Sequence, residues 1–212
     1  MTIRTKLCSP LLALSIAMTA GQAAATVVLP QNLEQLEAQA QLIFVGACTT
    51  CTATIDEHGM PVAIFTFRVI EPIKGDFKKT SQIEVRQFGS GIPNAKGFAL
   101  QIAGLPTYPT HQKVVLFLNP PSKIGLTAPV GLWQGLFHVE RDAEGREGIR
   151  LDPVRRKLLV SKVNTAKYLA TGRLKAAEEV LLTDPPEWVE LTTFCSLIRK
   201  IIQERERTDK EP

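Results

Sequence analysis

The run Val62-Ala63-Ile64-Phe65-Thr66-Phe67-Arg68-Val69-Ile70 constrains the fold more than any other feature of this chain. Its β-branched and aromatic residues favour an extended strand. Phe65, Phe67 and Val69 fall on one face, with Ile64, Thr66 and Arg68 opposite, because side chains alternate along a strand. A strand of this kind requires partners on both edges, and the sequence supplies them. Leu42-Ile43-Phe44-Val45-Gly46-Ala47-Cys48 precedes it, with the turn residues Asp56-Glu57-His58-Gly59 between. Ile83, Val85 and Gln87 mark a third strand. Val114-Val115-Leu116-Phe117-Leu118 is almost wholly apolar and is expected in the middle of the sheet. Gly135-Leu136-Phe137-His138-Val139-Glu140 opens a hairpin that turns at Asp142-Ala143-Glu144-Gly145 and returns through Ile149 and Leu151.

Residues 1–25 read as an export signal rather than as part of the fold. Arg4 and Lys6 form a basic start, residues 11–20 an apolar run, and Gln22-Ala23-Ala24-Ala25 a small-residue cleavage site. The apolar run falls short of the ~20 residues that span a bilayer. Cleavage after Ala25 leaves 187 residues starting at Thr26 and lowers the net charge from +4 to +2. A nearly neutral chain with 6% aromatic residues lacks the basic, aromatic groove of a nucleic-acid reader. The expected location is periplasmic or extracellular, with no stable membrane insertion.

The remaining segments are read from local signals. Asn32 caps a short helix over Leu33-Glu34-Gln35-Leu36-Glu37, with Gln35 completing a capping box. Lys157-Leu158-Leu159-Val160 is expected as a short strand, and Arg155-Arg156-Lys157 as a solvated face. Residues 161–182 carry no decisive period, although 174–180 are compatible with a helix. Asp184-Pro185-Pro186-Glu187 has the pattern of a helix start. Trp188, Leu191, Phe194, Cys195 and Ile198 then recur at helical spacing, which places an amphipathic helix over 185–204. Residues 207–212 are expected to be a disordered tail. The resulting division is a β domain over 26–151 and a C-terminal extension over 152–206.

The order of these elements resembles a set of exported bacterial proteins with a five-stranded OB-like barrel. The residues that carry the resemblance are Val69-Ile70-Glu71-Pro72-Ile73-Lys74-Gly75-Asp76, Ala103-Gly104-Leu105-Pro106 and Gly131-Leu132-Trp133-Gln134-Gly135. More distantly, the chain is similar to the netrin-like barrel of the tissue inhibitors of metalloproteinases. The resemblance implies a mainly β protein, an OB-like or netrin-like barrel of about five strands with a short N-terminal helix and a packed C-terminal helix. It does not carry the inhibitory activity. That family inserts an N-terminal cysteine into a zinc site, and Thr26-Val27-Val28 offers none.

Candidate chemistry is sparse. Cys48-Thr49-Thr50-Cys51 has the spacing of a thiol redox site, but Cys48 ends a strand rather than starting a helix, where a dipole would lower its pKa. An exported chain with Cys48, Cys51 and Cys195 is instead expected to hold a structural disulfide. Cys195 pairing with Cys51, or else with Cys48, would tie the last helix to the sheet; a Cys48–Cys51 bond is the local alternative and would need a turn there rather than a strand. His58, His111 and His138 stand in no metal or triad pattern, so no catalytic residue, metal or cofactor is expected. The long Gly/Pro-rich segment 89–111 is the expected binding loop, with Gly89, Gly91, Gly104, Pro106, Tyr108 and His111 as its candidate residues. The function expected is that of an exported, non-enzymatic binding or structural module whose partner is another exported or envelope protein. The alternative is a thiol-redox or other enzyme whose site the sequence does not display. A bare apolar patch beside the long loop would favour the binding module, and a polar cleft the enzyme.

Overall fold

A computed structural model describes residues 28–89, 96–97 and 99–210. The expected signal at 1–25, Gly91 in the long loop and the last two residues lie outside the described residues. Helix α1 (Leu33–Gln39) begins with the anticipated capping box. The Asn32 side chain accepts from the Gln35 amide, and the Gln35 side chain accepts from the Asn32 amide. Strands β1 (Leu42–Ile55) and β2 (Pro61–Lys74) then form a long antiparallel hairpin. Strands β3 (Gln82–Phe88), β4 (Lys113–Leu118), β5 (Leu136–Arg141), β6 (Glu147–Arg150) and β7 (Trp188–Glu190) complete a single antiparallel sheet. Its order is β3-β2-β1-β4-β5-β6-β7, which places β4 in the centre, as its apolar sequence implies.

The sheet is open, which overturns the expected five-stranded OB-like or netrin-like barrel. Among the described residues no pairing joins β3 to β7. The physical reason lies in β1 and β4, which bury both of their faces. Ile43, Val45, Val115 and Phe117 enter a core covered by helices. Phe44, Cys48, Val114, Leu116 and Leu118 enter a second core on the other face. A small barrel has one packed interior and an outer face toward solvent. Two cores on two faces instead demand a layered arrangement.

The helical layer is larger than the sequence suggests. It contains α2 (Pro153–Val160), α3 (Thr165–Leu169), α4 (Ala176–Thr183) and α5 (Leu191–Thr208). The segment expected as a strand at 157–160 belongs to α2, because Asp152 caps it and Pro153 sits at its first position. The Asp184-Pro185-Pro186 pattern marks the end of α4 rather than the start of the last helix. Each proline holds the residue before it out of the helical region, so the chain leaves α4 extended and forms β7. The last helix therefore occupies Leu191–Thr208, and Trp188 is half-buried on an edge strand. Phe194, Cys195, Leu197, Ile198 and Ile201 form its buried face.

Arg155 is not part of a solvated face. It donates to the Trp133 and Leu136 carbonyls at 2.7 and 2.6 Å. Its guanidinium lies 5.1 Å from the Trp133 ring and 5.0 Å from the Phe137 ring. These contacts pin α2 to β5. Among the described residues no helix is long and apolar enough to cross a membrane.

Candidate functional site

The long loop crosses the β2–β3 end of the sheet and is anchored there by Tyr108. Tyr108 is buried in the second core, edge-on to Phe65 and Phe67 at 4.7 and 5.0 Å between ring centres. Its hydroxyl accepts from the buried Gln87 amide at 2.9 Å. Burial raises the Tyr108 hydroxyl pKa, so it remains protonated and structural. His111 has φ +68° and donates its backbone N–H to the Cys48 carbonyl at 2.7 Å. Gly89 ends β3 and accepts from the Ile102 amide at 3.0 Å. Gly104, at φ +81°, lets the loop approach Leu132: a Cβ there would stand 3.1 Å from that side chain. Pro106 is half-buried. These candidate residues shape and fasten the loop, and they do not converge on one point.

Beside the loop lies an apolar groove of about 330 Å³. Phe88, Ile102, Leu105, Leu126 and Leu132 line it, together with Pro120 and Ala128. Sequence reasoning missed these residues, since isolated apolar residues in loops carry no period. Three polar side chains also line the groove, and each is occupied elsewhere. Asn119 donates to the Ala128 and Pro129 carbonyls, Thr127 donates to the Asn119 carbonyl, and Ser122 accepts from the Leu126 amide. Among the described residues no charged side chain lines the groove. Ile102 and Leu100 on the loop are exposed.

A second concavity, of about 210 Å³, lies between α3 and α5 and is more polar. Three of its ionisable side chains, Tyr168, Lys200 and Glu204, are engaged in the scaffold. Tyr168 donates to Glu34, Lys200 to Glu178 and the Arg173 carbonyl, and Arg207 to Glu204. Among the described residues no group of histidine, cysteine and acidic side chains could hold a metal.

Cys48, Cys51 and Cys195 are all free thiols, which corrects the expected disulfide. Cys195 lies in the helix-covered core and Cys48 in the core on the opposite face. The Cys48-Thr49-Thr50-Cys51 segment also departs from a regular strand. Cys48 pairs with Phe67, Thr50 with Thr66 and Cys51 with Phe65, so Thr49 is an extra residue that bulges β1. Both cysteines consequently turn to the same face as Phe65 and Phe67. Burial, reinforced by Cys51, pushes the Cys48 thiol up to about 11, and burial also raises Cys51. Neither is the low-pKa thiol that redox exchange uses. No protein-family model matches the chain, and no curated protein matches it in sequence.

Proposed function

We propose that this protein is an exported, non-enzymatic binding module that takes an apolar segment of another periplasmic or extracellular protein in the groove beside its long loop. The observation that carries this reading is the groove's chemistry. Among the described residues its lining is uncharged, and its three polar side chains are turned into their own backbone, which leaves apolar surface for a ligand. A neutral peptide segment fits such a surface better than a nucleotide, a phosphate or an acidic saccharide would. The raised thiols, and the engagement of Tyr168, Lys200 and Glu204 between α3 and α5 in scaffold bonds, favour binding over a redox or hydrolytic activity.

A photo-crosslinking side chain placed at Ile102, in chain expressed in its native host, tests the reading. The expected result is one discrete adduct with an exported protein. The isolated partner should then bind the purified chain, and Ile102→Asp should weaken that binding at least tenfold. Ile102 is exposed, so this change spares the fold. Equal binding by the wild type and Ile102→Asp would remove the groove from the function.

A further inference from the structure

Among the described residues the distal half of β1 has an unpaired sheet edge. Strand β4 covers β1 only from Leu42 to Ala47, and the last cross-links on that side are the two backbone bonds of Cys48 to His111 and Gln112. Beyond them β1 continues to Ile55 with β2 on one side, and among the described residues nothing pairs on the other. The hydrogen-bond phase identifies which residues face outward. Val69 exchanges bonds with Ser81 and Thr80 on the β3 side. By alternation Ala63, Phe65 and Phe67 also face β3, so Val62, Ile64 and Thr66 bond their β1 partners Thr54, Thr52 and Thr50. The N–H and C=O groups of Cys51, Ala53 and Ile55 therefore point away from the sheet.

Natural sheets guard such edges with charges, proline, cover or brevity. The other edges here are guarded. Strand β3 carries Glu84 and Arg86, and it is capped by the Thr127 amide on the Arg86 carbonyl. Strand β7 has three residues. Among the described residues β1 beyond its Thr49 bulge has none of these devices. Residues 48–55 and their partners 61–67 contain no charged side chain, and Ile55 is 50% exposed.

We propose that Cys51, Ala53 and Ile55 form a pairing edge for the same segment of a second copy of this chain. Antiparallel self-pairing centred on Ala53 sets the two Ala53 residues opposite each other and each Cys51 opposite an Ile55. It forms about six backbone hydrogen bonds. No like charges meet across the axis, and the smallest side chain sits on it. A charged partner peptide would find nothing complementary along this edge. The pairing is separate from the apolar groove and does not depend on it. A stable interface buries about 1,200 Å² or more, which five paired residues per chain do not reach, so association is expected only at high concentration, on the order of 0.1 mM.

Sedimentation equilibrium of the full chain under reducing conditions tests the proposal. Wild type should dimerise as concentration rises, and Ala53→Pro and Ala53→Lys should each weaken the dimer at least tenfold. The Ala53 amide faces outward, so proline removes no bond to β2. Amide exchange of the wild type offers a readout that needs no variant: Ala53 and Cys51 should become more protected with concentration. A chain that stays monomeric to about 1 mM would overturn the proposal and leave the edge to a strand of another protein. A dimer that both variants leave intact, or exchange at Ala53 independent of concentration, would overturn it equally.

Discussion

Cys48 and Cys195 lie in separate cores on opposite faces of the sheet, with β1 between them. A disulfide needs Cα atoms within about 7 Å and Cβ vectors that converge. The two side chains enter different cores, so their Cβ vectors do not converge. Mass mapping of the folded protein after alkylation without reductant should show three unbridged thiols. Cys51, half-buried, should label first, and Cys48 and Cys195 only on unfolding. A mapped bond from Cys195 to either strand cysteine would contradict the two-core arrangement.

The same thiols make stability depend on alkaline pH. Burial pushes Cys48 from 9.0 to about 11, and burial together with Glu71 pushes Cys195 from 9.0 to about 12. The folded state thus holds protons that the unfolded chain releases above pH 9. Their contribution is fully present below pH 9 and is lost as pH rises through the folded values. Urea midpoints should be flat from pH 7 to about 9 and fall beyond it. Cys195→Ala should flatten part of that fall, even though it costs packing at neutral pH.

The features legible in the sequence were those written in local pattern. The Asn32 box, the Phe65–Phe67 face and the central position of β4 follow from capping chemistry and from alternation. Three features were not legible. The Thr49 bulge reverses the facing of Cys51, and no residue type announces an extra strand residue between Cys48 and Thr50. Prolines at 185 and 186 fit both a helix start and a helix exit, and the preceding helix α4 decides between them. Barrel and open sheet share the same strand runs; what separates them is burial on both faces of β1 and β4, which short apolar runs do not encode. The groove residues Ile102, Leu105 and Leu126 belong to the same class, since only the meeting of two loops makes them a surface.

Phe67 tests the second core. It is fully buried and packs edge-on to both Phe44 and Tyr108. Phe67→Ala should cost about 3 to 5 kcal/mol in a denaturant titration. Because Tyr108 rests on the same ring, the variant should also increase amide exchange along residues 105–111. A loss below about 1 kcal/mol would mean that the loop collapses into the space left behind.

Gln134 acts as a one-residue strand partner for the start of the chain. Its buried side chain accepts from the Gln31 amide at 2.8 Å and donates to the Leu29 carbonyl at 3.0 Å. Gln134→Leu keeps the volume and removes both bonds. A loss of about 1 to 3 kcal/mol is expected, since the partner groups lose their bonds in a partly buried setting. The Gln31 amide should exchange much faster in the variant while β4 amides stay protected. Unchanged exchange at Gln31 would show that water replaces the side chain without cost.

Glu37 joins three elements of the helix-covered side through one buried carboxylate. Its side chain is fully buried, with Lys74 Nζ at 2.9 Å and Arg205 bonded through both Nε at 2.9 Å and Nη2 at 3.0 Å. Lys74 comes from the end of β2, Arg205 from the last turns of α5, and Glu37 from α1. Either cation alone balances the Glu37 charge, and the pair of them, with the three bonds they donate, offsets the desolvation of a fully buried carboxylate. Removing the carboxylate strands two cations against each other. Glu37→Gln is therefore expected to cost about 3 to 5 kcal/mol, and Lys74→Met less, because Lys74 is partly exposed and Arg205 still neutralises the acid. Combining Glu37→Gln with Lys74→Met should recover part of the first loss, since the double variant buries one fewer unpaired charge. Urea titrations of the two single variants and the double variant measure this directly. Strict additivity of the two losses would mean that Glu37 and Lys74 contribute through packing alone.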